Sequence, residues 1–306
     1  MSRRGWVMFA IMCVIWGIPY LLIKVAVGSL TPASLVFVRT ALATLLLFPL
    51  AAARGELRVL LPRWRPLLAY TAAELAIPWV LLSSAEQRLT SSTTGLLIAA
   101  VPLVGAVLVA VTGGQERLGT RRIIGLLAGR AGVAALVGDN LGGGTAVAFA
   151  EIGVVVIGYA LGPFILARHL SELPAIGVVA ASLALTTVLY LPAGIVQLPH
   201  RWPSASVVAS LLVLAVVCTA VAFLVFFALI DEVGPVRATV ITYVNPAVAV
   251  ALGVALLHEP FTVGIAAGFV LILVGSVMAT GRSVARPHRP AGAPTAPAEP
   301  AIVPEP

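Results

Sequence analysis

Apolar residues occur along this chain in long runs, separated by short segments rich in glycine, proline and arginine. One run, from Ala238 to Leu257, is twenty residues long and contains no charged residue. A helix of that length, rising about 1.5 Å per residue, spans a hydrocarbon layer of roughly 30 Å. The pattern predicts ten such helices with short connections, at 6–27, 32–52, 66–82, 94–111, 122–137, 145–167, 175–197, 207–230, 238–257 and 263–280.

The ninth predicted helix carries a polar stripe on an otherwise apolar rod. Thr239, Thr242, Tyr243 and Pro246 follow the i, i+3, i+4, i+7 spacing that places residues on one helix face. Asn245 precedes the proline, whose missing N–H frees a carbonyl group one turn earlier. Because unsatisfied polar atoms are costly in lipid, we expect this stripe to face other helices or a wet cavity.

The second half of the chain repeats landmarks of the first at a nearly constant spacing. Pro102 and Pro246 are 144 residues apart, and Glu116 and Glu259 are 143 residues apart. The spacing of 143 recurs for three more pairs, Gly125 with Gly268, Gly132 with Gly275 and Trp16 with Tyr159. An ordered series of this kind indicates an internal repeat.

We therefore predict two five-helix repeats, at 1–140 and 141–281, with a flexible glycine link at 141–144. Beyond them, 282–306 is rich in proline, alanine and arginine and holds few large apolar residues. Such a segment cannot bury enough apolar surface to fold, so we expect a disordered cytoplasmic tail.

Composition places the chain in a membrane. Apolar residues make up 60% and charged residues 10%, against about 45–50% and about 25% in soluble domains. The net charge of +7 does not indicate nucleic acid binding, because the arginines are spaced regularly between apolar runs. Cys13 and Cys218 lie within apolar runs, which gives neither a disulfide framework nor metal-ligand spacing. We predict no metal and no cofactor.

The arginines also predict the orientation. With a cytoplasmic N-terminus, fourteen arginines fall in inner segments and two, Arg88 and Arg201, in outer ones. The positive-inside rule then places both termini in the cytoplasm. Because each repeat has an odd number of spans, the second must be inverted relative to the first. The predicted fold is an all-α integral membrane protein of two inverted five-helix repeats, with a binding site near the midplane.

Several short motifs resemble one family of transporters. Trp16-Gly17, Lys24, Pro32 and Arg39 are similar to the opening of an EamA-type transporter of the drug/metabolite transporter superfamily. The segments around Glu116 and Glu259 resemble its repeat-closing glutamates, and the glycines at 125, 132, 268 and 275 match the helix that follows. The resemblance implies a ten-helix bundle that commonly exports amino acids, metabolites or drugs. This chain departs from it at Arg130, where an apolar residue is expected, and at Ser182, which corresponds to Arg39.

Acidic residues inside apolar runs are the first candidates for chemistry. Glu74 lies midway along the third predicted helix, one turn before Pro78 and Trp79. An ionised carboxylate at that depth is costly, so it either carries a proton or binds a cation, or it donates one structural hydrogen bond as a neutral acid. Glu151 lies nearer the membrane interface, where a structural role is favoured. We predict that Glu74 converges with Tyr243 and Asn245 in one cavity.

Other candidates are cationic or aromatic. Lys24 either contacts an anionic substrate or extends to the membrane interface. Arg39 either anchors its helix to backbone carbonyls or attracts substrate. Trp16, Trp79, Tyr159 and Tyr243 either line a substrate path or pack structurally, and Asn245-Pro246 needs a polar neighbour. Glu116 and Glu259 have the charge that suits the helix N-terminus following each of them. Arg130 should not face lipid.

The sequence contains no phosphate loop, nucleophile elbow or His/Cys cluster, so we predict that it is not an enzyme. We predict a secondary transporter of the plasma membrane, favouring export of small metabolites, amino acids or drugs by alternating access. The alternative is a membrane-embedded binding or sensor protein that does not transport. The expected partners are a small-molecule substrate, the lipid bilayer and, as one candidate coupling ion, a proton. Substrate, coupling ion and oligomeric state stay open.

Overall fold

A computed structural model describes residues 2–112, 119–138, 145–234, 238 and 240–280. Glu116, Thr239, the glycine link and the 282–306 tail lie outside the described residues. The regular structure of the described ranges is helical. We number its helical stretches α1 Arg3–Ala26, α2 Pro32–Ala53, α3 Arg58–Glu86, α4 Ser91–Val111, α5 Thr120–Gly138, α6 Thr145–Leu170, α7 Ala175–Val196, α8 Ala205–Val233, α9 Ile241–Leu257 and α10 Val263–Thr280.

Eight of these described stretches are long and apolar enough to cross a bilayer, so the chain is a multi-pass membrane protein. The other two are α5, which contains Arg121, Arg122 and Arg130, and α9, a shorter apolar helix. The expected ten spans therefore have helical counterparts in the described ranges, of which eight meet the length and hydropathy of a span.

Two of the stretches in the first half are interrupted. In α1, the helix Arg3–Ile15 ends before Gly17, and a second helix begins at Pro19. In α4, Ser91–Ile98 is followed by Val101–Val111, with Pro102 in the first turn of the second piece. Proline suits the first turn because its missing N–H would have no partner there. The breaks expose carbonyl groups that accept hydrogen bonds from side chains of other helices, Cys13 from Asn245 and Ala99 from Ser276.

Wider turns occur at corresponding places in the two halves. Thr71–Ala76 of α3 and Val213–Val221 of α8 are π-helical. A shift of 144 residues carries the first segment inside the second. A π-turn displaces carbonyl groups from their usual bonds. In α3, the hydroxyl group of Tyr190 donates to the Ala76 carbonyl (3.0 Å), and in α8, Thr219 donates to the Leu214 carbonyl (2.7 Å).

Helix packing also follows a two-fold scheme. The corresponding helices of the two halves pack on each other, α2 on α7, α4 on α9 and α5 on α10. Likewise, α3 packs on α6 as α1 packs on α8. The α5–α10 pair is close because both helices present glycine. A Cβ atom added to Gly125 would lie 2.7 Å from the Gly275 carbonyl oxygen. Small residues let helix backbones approach in this way.

Arg130 is a correction to the sequence analysis. It lies on the exposed outer face of α5, near the exposed Leu127 and Ala131. The face of α5 that packs on α10 consists of Gly125 and Gly132, and Arg130 points away from it. A single copy of the chain therefore does not shelter this arginine among its described residues.

Candidate functional site

The side chain of Arg39 is held in the interior of the bundle. It is 6% exposed and lies on α2, where α2 packs against α3 and the π-helical segment of α8. Its Nε atom donates to the Thr219 hydroxyl (3.0 Å), and its guanidinium lies 3.8 Å above the centre of the Trp79 ring. Hydrogen bonding and cation–π stacking together fix the plane of the guanidinium. The predicted anchor is thus provided by side chains rather than backbone carbonyls.

The terminal nitrogens of the Arg39 guanidinium are not used by the described side chains around it. Among the described residues, its terminal nitrogens form no hydrogen bond and no acid pairs with it. Its electrostatic neighbours are Cys218, Tyr159, Glu86 and Tyr20. A buried guanidinium with two unused terminal NH₂ groups matches the planar fork that binds a carboxylate.

Aromatic side chains on the helices around Arg39 form two matching pairs. Tyr159 of α6 lies beside Trp79 of α3. In the other pair, Trp16 at the α1 break packs against Phe223 of α8 (6.0 Å between ring centres, edge to face) and against Phe226 (4.6 Å). Trp16 corresponds to Tyr159 at a spacing of 143, and Trp79 corresponds to Phe223 at 144. The structure therefore brings together Arg39, Trp79 and Tyr159, three of the predicted site residues, whereas Trp16 packs on aromatic rings of α8.

Glu74 lies in the π-helical segment of α3 but points toward α6. Its carboxyl group covers Gly162, since a Cβ atom added there would clash with Glu74 Oε2. The residue is half-buried, and Oε2 has no hydrogen-bond partner among the described residues. Tyr159 and Tyr70 are its electrostatic neighbours.

Asn245 and Pro246 pack against the α1 break. At that break, the Gly17 N–H bonds to the Val14 carbonyl instead of the Cys13 carbonyl. In the orientation that this environment requires, the Asn245 amide nitrogen donates to the freed Cys13 oxygen and to the Ile241 oxygen, each at 3.0 Å. The polar neighbour expected for this pair is therefore the backbone of α1.

The expected convergence of Glu74, Tyr243 and Asn245 is not observed. Tyr243 bonds to Thr280 at the end of α10 (2.6 Å between hydroxyl oxygens), while Asn245 faces α1 and Glu74 faces α6. Thr242, on the same stripe of α9, is partly buried. The three groups occupy helices that the sequence locates, but their side chains point in different directions, which depth along a helix does not determine.

Two predicted residues form contacts near the C-terminal end of α3. Glu151 accepts from the Ser84 hydroxyl (2.7 Å) and pairs with Arg88 (3.0 Å), so it joins α6 to α3. The Lys24 ammonium donates to the Glu86 carbonyl (2.6 Å) and the Leu89 carbonyl (2.7 Å) at the end of α3. Neither alternative proposed for Lys24 matches this contact: it caps the last turn of another helix.

Glu259 caps a helix other than the one expected. Its carboxylate accepts from the backbone N–H groups of Ser91 (2.7 Å) and Ser92 (2.9 Å) at the start of α4. The sequence analysis assigned it to the following helix, α10. The helix N-terminus still attracts the charge, as expected from the macrodipole, but the pairing crosses between the two halves.

Sequence reasoning missed Glu86 entirely. This residue is the last of α3, and its side chain is 0% exposed. Both carboxyl oxygens lack a hydrogen-bond partner among the described residues. Lys24, Glu259 and Arg39 are its electrostatic neighbours. The predicted third helix ends at residue 82, which assigns Glu86 to an exposed connection.

Comparison with known proteins identifies the family. A sequence profile of the EamA-like transporter family matches residues 3–138 and, a second time, residues 148–281. The chain belongs to the EamA-like transporter family. Similarity extends to the uncharacterized transporter YvbV of Bacillus subtilis (strain 168), which is 25% identical over 93% of this chain and 94% of its own length. This EamA-like protein is therefore a membrane transporter of the drug/metabolite transporter type, with a small-molecule substrate.

A solved crystal structure shares the fold of this EamA-like transporter. It superposes with a TM-score of 0.65, covers 91% of this chain and 98% of the other, and is 21% identical in sequence. That similarity concerns the helical arrangement alone. The assignment of individual residues to a substrate site rests on the geometry around Arg39.

Proposed function

We propose that this protein is a secondary transporter that exports small metabolites bearing a carboxylate group, amino acids among them. The observation that carries the proposal is the Arg39 guanidinium, buried between α2, α3 and α8 with its terminal nitrogens unused by the described residues. Placing a cation in the bundle interior is costly, so such groups usually serve a substrate or ion path. A substrate carboxylate would complete the hydrogen bonding of the fork.

The aromatic side chains support a substrate with an apolar part. Trp79 and Tyr159 lie beside Arg39, and Trp16 packs with Phe223 and Phe226 of α8. Pockets of this kind combine apolar walls with few polar groups that fix orientation. Arg39, Trp79 and Tyr20 are all buried, so the conformation described encloses the site. In the proposed cycle, this occluded state alternates with states open to either side.

We further propose that two inverted five-helix repeats, 1–140 and 141–281, move against each other. This proposal is supported by the paired packing of corresponding helices, the matching π-helical segments and the two separate matches to the family profile. The arginine distribution favours cytoplasmic termini and the plasma membrane. Transport by rocking of one repeat against the other about a midplane site is common in such folds.

The proposal is tested by counterflow in proteoliposomes loaded with a panel of amino acids, other carboxylates, sugars and cationic drugs. We expect exchange of carboxylate-bearing compounds. Arg39→Gln should raise the substrate concentration that gives half-maximal exchange by about 10- to 100-fold, since a hydrogen bond to a charged group contributes about 1.5–3 kcal/mol. Arg39→Lys retains the charge but not the fork, so its half-saturation concentration should lie between those of the natural protein and Arg39→Gln. The matched control is Arg121→Gln, at an exposed arginine of α5.

Three results would contradict the proposal. Exchange confined to sugars or cationic drugs would exclude a carboxylate substrate. An unchanged half-saturation concentration in both Arg39 variants would show that Arg39 does not contact the substrate. Saturable binding without counterflow would favour the binding or sensor protein instead of a transporter. Thermal unfolding of each variant in detergent separates loss of substrate contact from loss of folding.

A further inference from the structure

The carboxyl group of Glu86 is a buried polar group that the proposed substrate site does not use. It is fully enclosed, and neither oxygen has a hydrogen-bond partner among the described residues. An ionised carboxylate in such a place lacks both solvent and hydrogen bonds, which costs several kcal/mol. A neutral carboxylic acid avoids most of that cost.

Charged and titratable groups surround Glu86 on each neighbouring element. On α1 these are Lys24 and Tyr20, on α2 Arg39, on α6 Tyr159, and between α9 and α10 Glu259. Glu259 is committed to the start of α4. Two further groups nearby, Glu151 of α6 and Arg88, are paired with each other.

Lys24 is the group best placed to exchange partners with Glu86. Its ammonium bonds to the main-chain carbonyls of Glu86 and Leu89, at 2.6 and 2.7 Å, and so stands beside the Glu86 side chain without pairing to it. In the conformation described, Lys24 caps α3 and leaves the carboxyl group alone. A movement between α1 and α3 would let the same ammonium reach the carboxylate instead.

These surroundings favour a proton over a metal ion as the ligand of Glu86. A metal cation needs several oxygen ligands, and the described residues contain no group of three or more acidic, histidine or cysteine side chains suited to one. A proton needs no further ligand, and it removes the uncompensated charge.

We propose that Glu86 is a proton-binding site that couples transport to the proton gradient. In the enclosed state the carboxyl group holds one proton and Lys24 caps α3. When the helices move, the proton leaves the carboxyl group for water, and the resulting carboxylate pairs with Lys24. The coupling role rests on the proposed transport function, whereas the protonation of Glu86 can be tested without any substrate.

The test is infrared spectroscopy of the full-length protein in lipid nanodiscs at neutral pH. Exposed glutamates are ionised there, so the stretch of a protonated carboxyl group reports buried acids. We expect Glu86→Gln to lose a protonated-carboxyl band that the exposed-site control Glu172→Gln retains. Retention of every such band in a folded Glu86→Gln variant would overturn the proposal.

A second variant covers the case in which Glu86→Gln does not fold. Lys24→Met removes the cation that favours the ionised carboxyl group, so the Glu86 band should persist to higher pH than in the natural protein. A band that titrates identically in both proteins would contradict the partner exchange. If the band behaves as expected but counterflow fails for every compound, the transport function is wrong and the proton site stands.

Discussion

Helix α3 carries two carboxyl groups twelve residues apart, Glu74 and Glu86, with different surroundings. Glu74 is central along the helix and half-buried as a residue, and one of its oxygens is enclosed against Gly162 of α6 without a hydrogen-bond partner among the described residues. Glu86 is at the helix end, yet it is completely enclosed beside Lys24. The position of an acidic residue along a membrane span therefore does not predict how deeply its side chain is buried in the protein. The packing of α1, α2 and the α9–α10 connection isolates Glu86, and all of these lie far away in sequence.

The largest expected difference between the two acids concerns coupling. With one proton per cycle, the transporter should accumulate its substrate about tenfold per unit of imposed pH difference, because one unit is worth about 1.4 kcal/mol. Glu86→Gln should abolish this accumulation, whereas Glu74→Gln should leave it in place. The measurement is pH-driven flux in proteoliposomes, using a compound from the counterflow panel. Loss of coupling in Glu74→Gln alone would reverse the comparison.

A smaller effect is expected where Glu74 touches α6. In Gly162→Ala the new methyl group would displace the Glu74 carboxyl, and overpacking of this kind costs about 1–3 kcal/mol. Gly153→Ala, on the same helix with open space around its Cα, is the matched control and should be neutral or slightly stabilising. Thermal unfolding in nanodiscs compares the two. Equal unfolding temperatures would show that Glu74 does not pack against α6.

The smallest effect is expected at Glu151, which resembles neither acid. It pairs with Arg88, a residue whose side chain is 37% exposed, just after the C-terminal end of α3. Exposed ion pairs contribute about 0–1 kcal/mol, and Glu151→Gln can still accept from Ser84. We expect a loss of stability within that range and an unchanged pH dependence of flux. A shift in the pH dependence would place Glu151 in the coupling path.

The sequence pattern predicted the helices and part of the candidate site. Trp16, Arg39, Trp79 and Tyr159 stand out because polar and aromatic residues are conspicuous in apolar runs, and repeat spacing relates two of them. The direction of each side chain could not be predicted from the sequence. Asn245, for example, pairs with a carbonyl that the α1 break exposes. Glu86 was missed because Ser83-Ser84-Ala85-Glu86-Gln87-Arg88 is typical of a solvated connection. Its burial results from packing against helices that are distant in sequence.

A different kind of limit applies to Arg130. Its position in an apolar run predicts shelter, but the structure places it on the outer face of α5. The expectation assumes that other residues of the same chain keep the charge away from lipid. The glycine face of α5 is needed for contact with α10, so the arginine is left on the opposite side.

The central claim, that the interior around Arg39 is a translocation site, can be tested with a native cysteine. Cys218 precedes Thr219 on α8, is buried, and lies within electrostatic range of Arg39. The sequence has only one other cysteine, so Cys13→Ala leaves a single thiol. The measurement is labelling of Cys13→Ala in oriented vesicles by a membrane-impermeant thiol reagent, added to one side at a time. Alternating access predicts slow labelling from both sides, suppressed by a transported compound. Labelling from one side only, or none during active counterflow, would contradict it.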